Sequence, residues 1–321
     1  MEYNVAALAD GKTVLDIIKN ELKFSRATLK HLKFKENGIM LNGSHVTVRA
    51  IVRTGDVLSL AVEDISTPQK LTPTELDLEI AYESELAVVP NKPANMPTHQ
   101  SHGHYGDTVA NALTYRYSQM GLPFVFRPVN RLDRNTSGLL LVARDRISAA
   151  TLTKHMQSGR IKKRYVAILN GVLPCEGGVI DTYMRRTEKS VIVREVCDKD
   201  CGGDRAITEY TVLYKSSTHT LVEAIPVTGR THQLRVHFAS LGCPIEGDDL
   251  YGSKSPLIER HALHSFLLEF PSPDDGRTVC VTAPMHEDMQ HLASAVFGDD
   301  LYSIDHESVK YILPTDKEIK E

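Results

Sequence analysis

Nowhere in the 321 residues does an apolar run approach the ~20 needed to span a bilayer. The first ten residues have neither a basic segment nor a sustained apolar one, so export and membrane anchoring are not expected and a cytoplasmic location is. Cysteine is sparse as well. Cys175, Cys197, Cys201, Cys243 and Cys280 are odd in number and scattered through a chain too large to need covalent staples, which predicts reduced thiols. Cys197 and Cys201 have the look of half a metal site, but no second Cys/His pair follows at finger spacing, so zinc is not expected. His99, His102 and His104 lie in a Gly/Ser-rich loop without regular spacing and read as a polar loop rather than a metal centre. An overall excess of positive charge is also missing: the net charge is −4. That total does not by itself suggest a nucleic-acid binder.

The distribution of charge does. Residues 11–60 hold nine Lys and Arg against four Asp and Glu, so a basic module is attached to an acidic body. Within it, Thr13 followed by Asp16 resembles a helix cap, and Leu15, Ile18 and Leu22 fall at helical spacing, predicting an amphipathic helix over 14–22. Ser25 caps a second helix on which Arg26, Lys30 and Lys33 recur at i, i+4, i+7 as one basic stripe. A solvated charge face is the plainer reading of that stripe. Asn42-Gly43 between two apolar runs is a strong hairpin signal, and Thr54-Gly55-Asp56 leads into a last strand. Residues 64–76 are polar, carry two prolines and read as a linker between this module (1–63) and a larger domain over 77–298. The tail, 299–321, holds seven acids against three lysines and reads as a loose surface segment.

In the larger domain, the stretch from Arg127 to Gly138 feeds a polar loop into the apolar run Leu139 to Ala143, which suits a buried strand. Asp133 stands there between Arg131 and Arg134, beside Asn135, Thr136, Ser137 and a turn glycine. Opposite charges and hydrogen bonds of that kind keep a carboxylate ionised and oriented, as a carboxylate nucleophile requires. A structural Asp tying a turn is the bland alternative.

The string Asn-Arg-Leu-Asp-Arg-Asn-Thr-Ser-Gly resembles the His-Arg-Leu-Asp-x-x-Thr-Ser-Gly signature of the RluA-type pseudouridine synthases, with Asn130 in place of the family's His. By that resemblance Asp133 is the catalytic nucleophile, with Arg131 a substrate contact, and Asn130 is a support position. Val-x-Asn-Lys-Pro-Ala-x-Met at 89–96 is similar to the family too, with Asn95 where Gly is common; Asn is the next best at a left-handed backbone. Lys163-Arg-Tyr165-Val-Ala resembles the family's Lys-x-Tyr-x-Ala, which implies that Tyr165 stacks on a flipped pyrimidine; the plainer reading of Lys162, Lys163 and Arg164 is a charge guard on an edge strand. Thr228-Gly-Arg-Thr-His-Gln-Leu-Arg235, which reads as a turn and a helix capped by Thr231, followed by Gly247-Asp248-x-x-Tyr251-Gly252, is a further match. It implies that an arginine of this segment pairs with Asp133, Arg235 first and Arg230 as the fallback, Arg230 being otherwise a phosphate contact. Leu263-His264 resembles a strand whose Leu lines the base pocket.

The order of elements in the basic module resembles an S4-type RNA-binding domain, which would turn Arg26, Lys30 and Lys33 toward RNA phosphates. The fold implied is α+β: a mixed, mostly antiparallel central sheet with flanking helices behind a small S4-like module. The activity implied is isomerisation of uridine to pseudouridine in RNA, large-subunit ribosomal RNA ahead of tRNA, by a monomer without metal or other cofactor. Two other classes remain open at this level: an RNA-binding or ribosome-assembly factor without catalysis, and a hydrolase pairing Asp133 with a histidine of 99–104. Residues 172–207 are Gly-rich and charged and yield no functional reading.

Overall fold

Thr13 opens the first helix, α1 (Val14–Asp16), as its spacing predicts. Its hydroxyl accepts from the Asp16 amide while the Asp16 carboxylate accepts from the Thr13 amide, a reciprocal capping box. The computed structural model describes residues 2–22, 24, 29, 32–61, 71–188, 190–298, 301 and 306–313. In it, α1 continues as a π-type turn (Ile17–Glu21). Asn42 and Gly43 take φ of 50° and 78°, the doubly positive backbone of a two-residue hairpin turn. They join β2 (Ile39–Leu41) to β3 (Ser44–His45), and β4 (Val57–Leu60) lies on the far side of β2. A strand not foreseen, β1 (Glu2–Asn4), completes the antiparallel order β1-β4-β2-β3. Val14, Ile17, Ile18, Leu32, Val52 and Leu58 are buried in a cluster of this module's own residues. Ser25, Arg26 and Lys30 fall outside the described residues, as does the linker up to residue 70; Lys33 is exposed. Among the described residues no helix is long and apolar enough to cross a membrane.

The second sheet carries the larger domain. Its strands are β5 (Glu79–Glu83), β6 (Ala87–Lys92), β7 (Arg127–Pro128), β8 (Ser137–Leu139), β9 (Val142–Ala143), β10 (Lys162–Asn170), β11 (Gly177–Arg186), β12 (Arg194–Cys197), β13 (Asp204–Lys215), β14 (His219–Pro226), β15 (Leu263–Pro271) and β16 (Thr278–Thr282). They run in the order β12-β11-β13-β14-β10-β15-β8-β6-β9-β7, with β16 beside β15 and β5 beside β6. Among the described strands every pair is antiparallel except β8 with β15. Around the sheet lie α2 (Val109–Gln119), α3 (Arg146–Gln157), α4 (Gln233–Ser240), α5 (Glu287–Phe297) and the short α6 (Val309–Ile312). Thr108 and Asp145 cap α2 and α3 through reciprocal boxes. The fold is α+β with a mostly antiparallel sheet. Its main core joins Leu113, Val166, Ile168, Phe238, Leu263 and Phe266.

Four expectations need correction, and one stretch without a reading gains one. The apolar run 138–143 is not one strand: it is split between β8 and β9, because Leu140 leaves the ladder to bond the Pro90 carbonyl while β9 pairs with β6 and β7. Thr231 does not cap α4. His232 precedes that helix at φ 59° without a side-chain cap, and Gln233 ties the turn instead, accepting from the Arg230 amide at 3.0 Å and the Thr228 hydroxyl at 2.7 Å. The stretch 172–207, which gave no reading, holds β11 and β12 among its described residues and runs into β13. Cys197 and Cys201 are not separate thiols: a single 3-10 turn after β12 brings their Cα atoms to 6.1 Å and the sulfurs are joined. Within the tail, Leu301, Val309 and Ile312 are buried in the main core, because the Met285 amide bonds the Ile312 carbonyl and draws α6 against α5 and the sheet.

Candidate active site

Asp133 sits in the loop between β7 and β8, and almost every residue of that loop is fastened. The Asn130 side chain accepts from the Leu141 amide at 2.8 Å, which is the support expected of it. Leu132 is buried, and its carbonyl accepts from the Thr98 hydroxyl at 2.9 Å. The Arg134 carbonyl accepts from Lys92 at 2.9 Å and the Asn135 carbonyl from Arg260 at 3.2 Å. Thr136 and Ser137 hydroxyls meet His261 and His264 at 2.8 and 2.9 Å. Gly138 then passes β15 so closely, at φ 109°, that a Cβ there would lie 2.3 Å from the Ser265 carbonyl oxygen. No other residue fits that crossing.

Lys92 is fully buried, and its ammonium donates to the carbonyls of Pro93, Met96 and Arg134 at 2.8 to 2.9 Å. Burial, helped by Arg260, pulls it down to about 7, with the Asp133 charge pulling the other way. Three carbonyl partners use all three hydrogens of an ammonium, so the charged form is the one this cage fits. Asn95 turns the chain beneath it at φ 62°, the left-handed backbone foreseen for that position.

The charges facing Asp133 are not its sequence neighbours. Arg131 and Arg134 are exposed, and Arg134 bonds His104 at 3.2 Å. Arg235 Nη1 lies 3.4 Å from Asp133 Oδ2, and His232 Nε2 lies 3.8 Å from the same oxygen. Arg235 is locked from behind. Its Nε and Nη2 grip the fully buried Asp248 at 2.7 and 2.8 Å, a fork-to-fork pair, and its guanidinium lies 5.1 Å from the centre of the Tyr251 ring. Burial alone would raise the Asp248 carboxyl, but Arg235 holds it below the usual carboxylate range. Burial likewise lowers His232 despite Asp133 beside it, and its Nδ1 is 2.7 Å from the Tyr251 hydroxyl. Asp133 itself remains about one-fifth exposed at the surface of this cluster.

Tyr165 is buried on β10 opposite Ser265, at an irregularity in the ladder between Arg164 and Tyr165. Burial pushes its phenol up to about 12; the Ser265 hydroxyl opposes the rise and the Asp133 charge adds to it. The phenol is therefore neutral near pH 7 and close enough to feel Asp133. Leu263 is buried where β15 begins, paired with Ala167, two residues along β10 from Tyr165. Arg230 lies apart, on the far side of His232, donating to the Arg205 carbonyl at 3.1 Å. Sequence reasoning gave no role to Asp248, Tyr251 or Lys92, although all three stand inside the motifs it picked out. Among the described residues no three His, Cys, Asp or Glu side chains gather as metal ligands would.

Residues 86–240 match the RNA pseudouridylate synthase family. An uncharacterized RNA pseudouridine synthase of Bacillus subtilis, YjbO, is 34% identical over 85% of this chain and 95% of its own length. Ribosomal large subunit pseudouridine synthase D of Xylella fastidiosa is 33% identical over 89% of this chain and 88% of its own. Among solved structures, human RNA pseudouridylate synthase domain containing 1 superposes with a TM-score of 0.54 at 28% identity, over 66% of this chain and 86% of that protein. With identity at this level along nearly the full length of its relatives, and the fold shared as well, the chain belongs to the RNA pseudouridylate synthase family and is an isomerase acting on RNA.

Proposed function

We propose that Asp133 is the nucleophile in the isomerisation of a uridine flipped out of its stack, and that the substrate is ribosomal RNA of the large subunit, modified in the cytoplasm. The observation that carries the first part is the Asp133 carboxylate, partly open to solvent and facing an arginine whose other nitrogens are committed to Asp248. Such an anion keeps one oxygen free to attack while the guanidinium holds it in place. The reaction needs no co-reactant. The bond from N1 to C1′ breaks, the base turns while the enzyme retains it, and C5 bonds C1′, with the C5 proton lost and one gained at N1. Tyr165 stacks against the pyrimidine, Leu263 lines its pocket and Arg131 at the loop surface contacts the RNA. The neutral Tyr165 phenol is available to donate or relay a proton, and its rise to about 12 keeps it from ionising beside Asp133.

The choice of RNA is supported by relatives named ribosomal large subunit pseudouridine synthase D at 30 to 35% identity. It is supported also by the basic module over 11–60, read as an S4-like domain that grips structured RNA through its backbone. Asp133→Asn tests the nucleophile. The amide keeps the shape and loses the attacking anion, so single-turnover product should fall below detection while melting temperature and RNA affinity stay near wild type. Product at a near-normal rate from the folded variant would end the assignment. Mapping pseudouridines in cells lacking the protein tests the substrate: a site missing only from tRNA would reverse the choice.

A further inference from the structure

On the side of His232 away from Asp133, a cleft of about 400 Å³ opens between the β11–β12 arm and the turn that leads into α4. Four of its lining side chains are arginines, Arg185, Arg186, Arg194 and Arg230, against a single acid, Asp204, and three of the other lining residues are glycines. Their charges are poorly answered. Arg185 is paired with Glu195 at 2.8 Å, and Arg230 lies 3.8 Å from Asp204. Among the described residues the Arg194 side chain has only the carbonyls of Val191, Ile192 and Val193, at 3.3 to 3.5 Å. Arg186, exposed at the end of β11, has no side-chain partner among the described residues. A chain with a net charge of −4 has here gathered four cations around one hollow, an arrangement that repels itself until an anion enters.

The hollow is coupled to the site through two side chains. The Arg194 amide donates to the Tyr251 hydroxyl at 3.0 Å, that hydroxyl is 2.7 Å from His232 Nδ1, and His232 Nε2 faces Asp133. Arg230 and Thr231 stand immediately before His232 in the chain. A nucleotide whose base lies beside Asp133 therefore has its own strand continuing past this cleft. A flipped nucleotide must be held by its flanks, and an arginine fork suits a phosphodiester because two N–H groups meet two oxygens. We infer that the cleft between the β11–β12 arm and the 228–231 turn binds backbone phosphates of the RNA strand flanking the target uridine, with Arg186 and Arg194 as its principal contacts. The inference rests on the RNA substrate of this family and not on the role of Asp133.

The test measures binding of the full-length chain to a 20-nucleotide oligouridylate and to an unmodified transcript of large-subunit ribosomal RNA, across a range of salt. Arg186→Ala should weaken both several-fold and reduce the slope of log affinity against log salt by about 0.7, the value for one phosphate of a single strand left unneutralised. Arg186→Lys should keep most of the slope, and Arg186→Glu should lose more than Ala. Melting temperatures should not move, because Arg186 holds no side-chain partner among the described residues. Equal slopes for wild type, Ala and Glu would overturn the proposal. So would a variant that binds inorganic phosphate less well but RNA unchanged, which would make the cleft a site for the free ion. Because binding is read without turnover, the same series in an Asp133→Asn background separates this result from any failure of the nucleophile assignment.

Discussion

Arg235 serves two carboxylates unequally, with a doubly bonded grip on Asp248 and a single 3.4 Å approach to Asp133. The inequality matters for the proposed role of Asp133. A carboxylate clamped through both oxygens has its lone pairs committed, whereas one held loosely by a fixed cation is oriented and still reactive. The histidines behind the loop have a different role, and His264 shows it best. Its Nε2 donates to the Ala283 carbonyl and its Nδ1 accepts from Ser137, so the ring is neutral, and burial drives it down to about 3. In the unfolded chain the same ring titrates near 6.5. Between those values the unfolded state binds the extra proton, so stability rises with pH and is lost as pH falls from about 6.5 toward 3. The whole window is worth on the order of 5 kcal/mol, about 2 of it above pH 5. Urea midpoints should fall steadily between pH 7 and 5, and more shallowly in His264→Gln. Parallel profiles would mean that His264 does not set the acid limit.

Among the elements, β8 is three residues long and yet holds the loop to two other strands. Its parallel seam with β15 depends on Gly138. Gly138→Ala places a methyl group 2.3 Å from the Ser265 carbonyl oxygen, which should cost ~3 kcal/mol or more. At Gly121, φ is 68° and nothing lies within 4 Å of an added Cβ; the same change there should cost only about 1 kcal/mol of backbone strain. Equal losses in denaturant would show that the seam is not what Gly138 protects. The seam also marks where sequence reading stopped. Asn42-Gly43, the Thr13 cap and the Asn95 turn were legible because a turn or cap is written in adjacent residues. The run 138–143 showed its burial but not its break, since the break depends on partners on other strands. Arg131 and Arg134 drew attention by adjacency, while Arg235, 102 residues further along, was set beside Asp133 only by the family resemblance. The β11–β12 arm was unreadable for a different reason: it is exposed on both faces for much of its length, so no apolar alternation marks it.

At the scale of the whole molecule, two sheets have separate cores, and in the proposed function the smaller one grips RNA while the larger one carries the chemistry. Reversing Arg26, Lys30 and Lys33 to Glu should lower the salt slope of RNA binding by ~0.9 for each phosphate of a duplex-like backbone that is no longer neutralised, with the larger domain's melting unchanged. An unaltered slope would remove the basic module from the interface. The seam has a consequence of another kind, for a chain made from its N-terminus onward. When the Asp133 loop leaves the ribosome, Lys92 and Thr98 are already made, but Arg235, His261 and His264, which meet the loop from 102 to 127 residues further on, are not. No unfinished chain ending before α4 can bring Arg235 to Asp133, and none ending before β15 can close the loop. An enzyme that modifies RNA is thus born on a machine built of RNA with its candidate site still in pieces, and can complete that site only once β15 has been made.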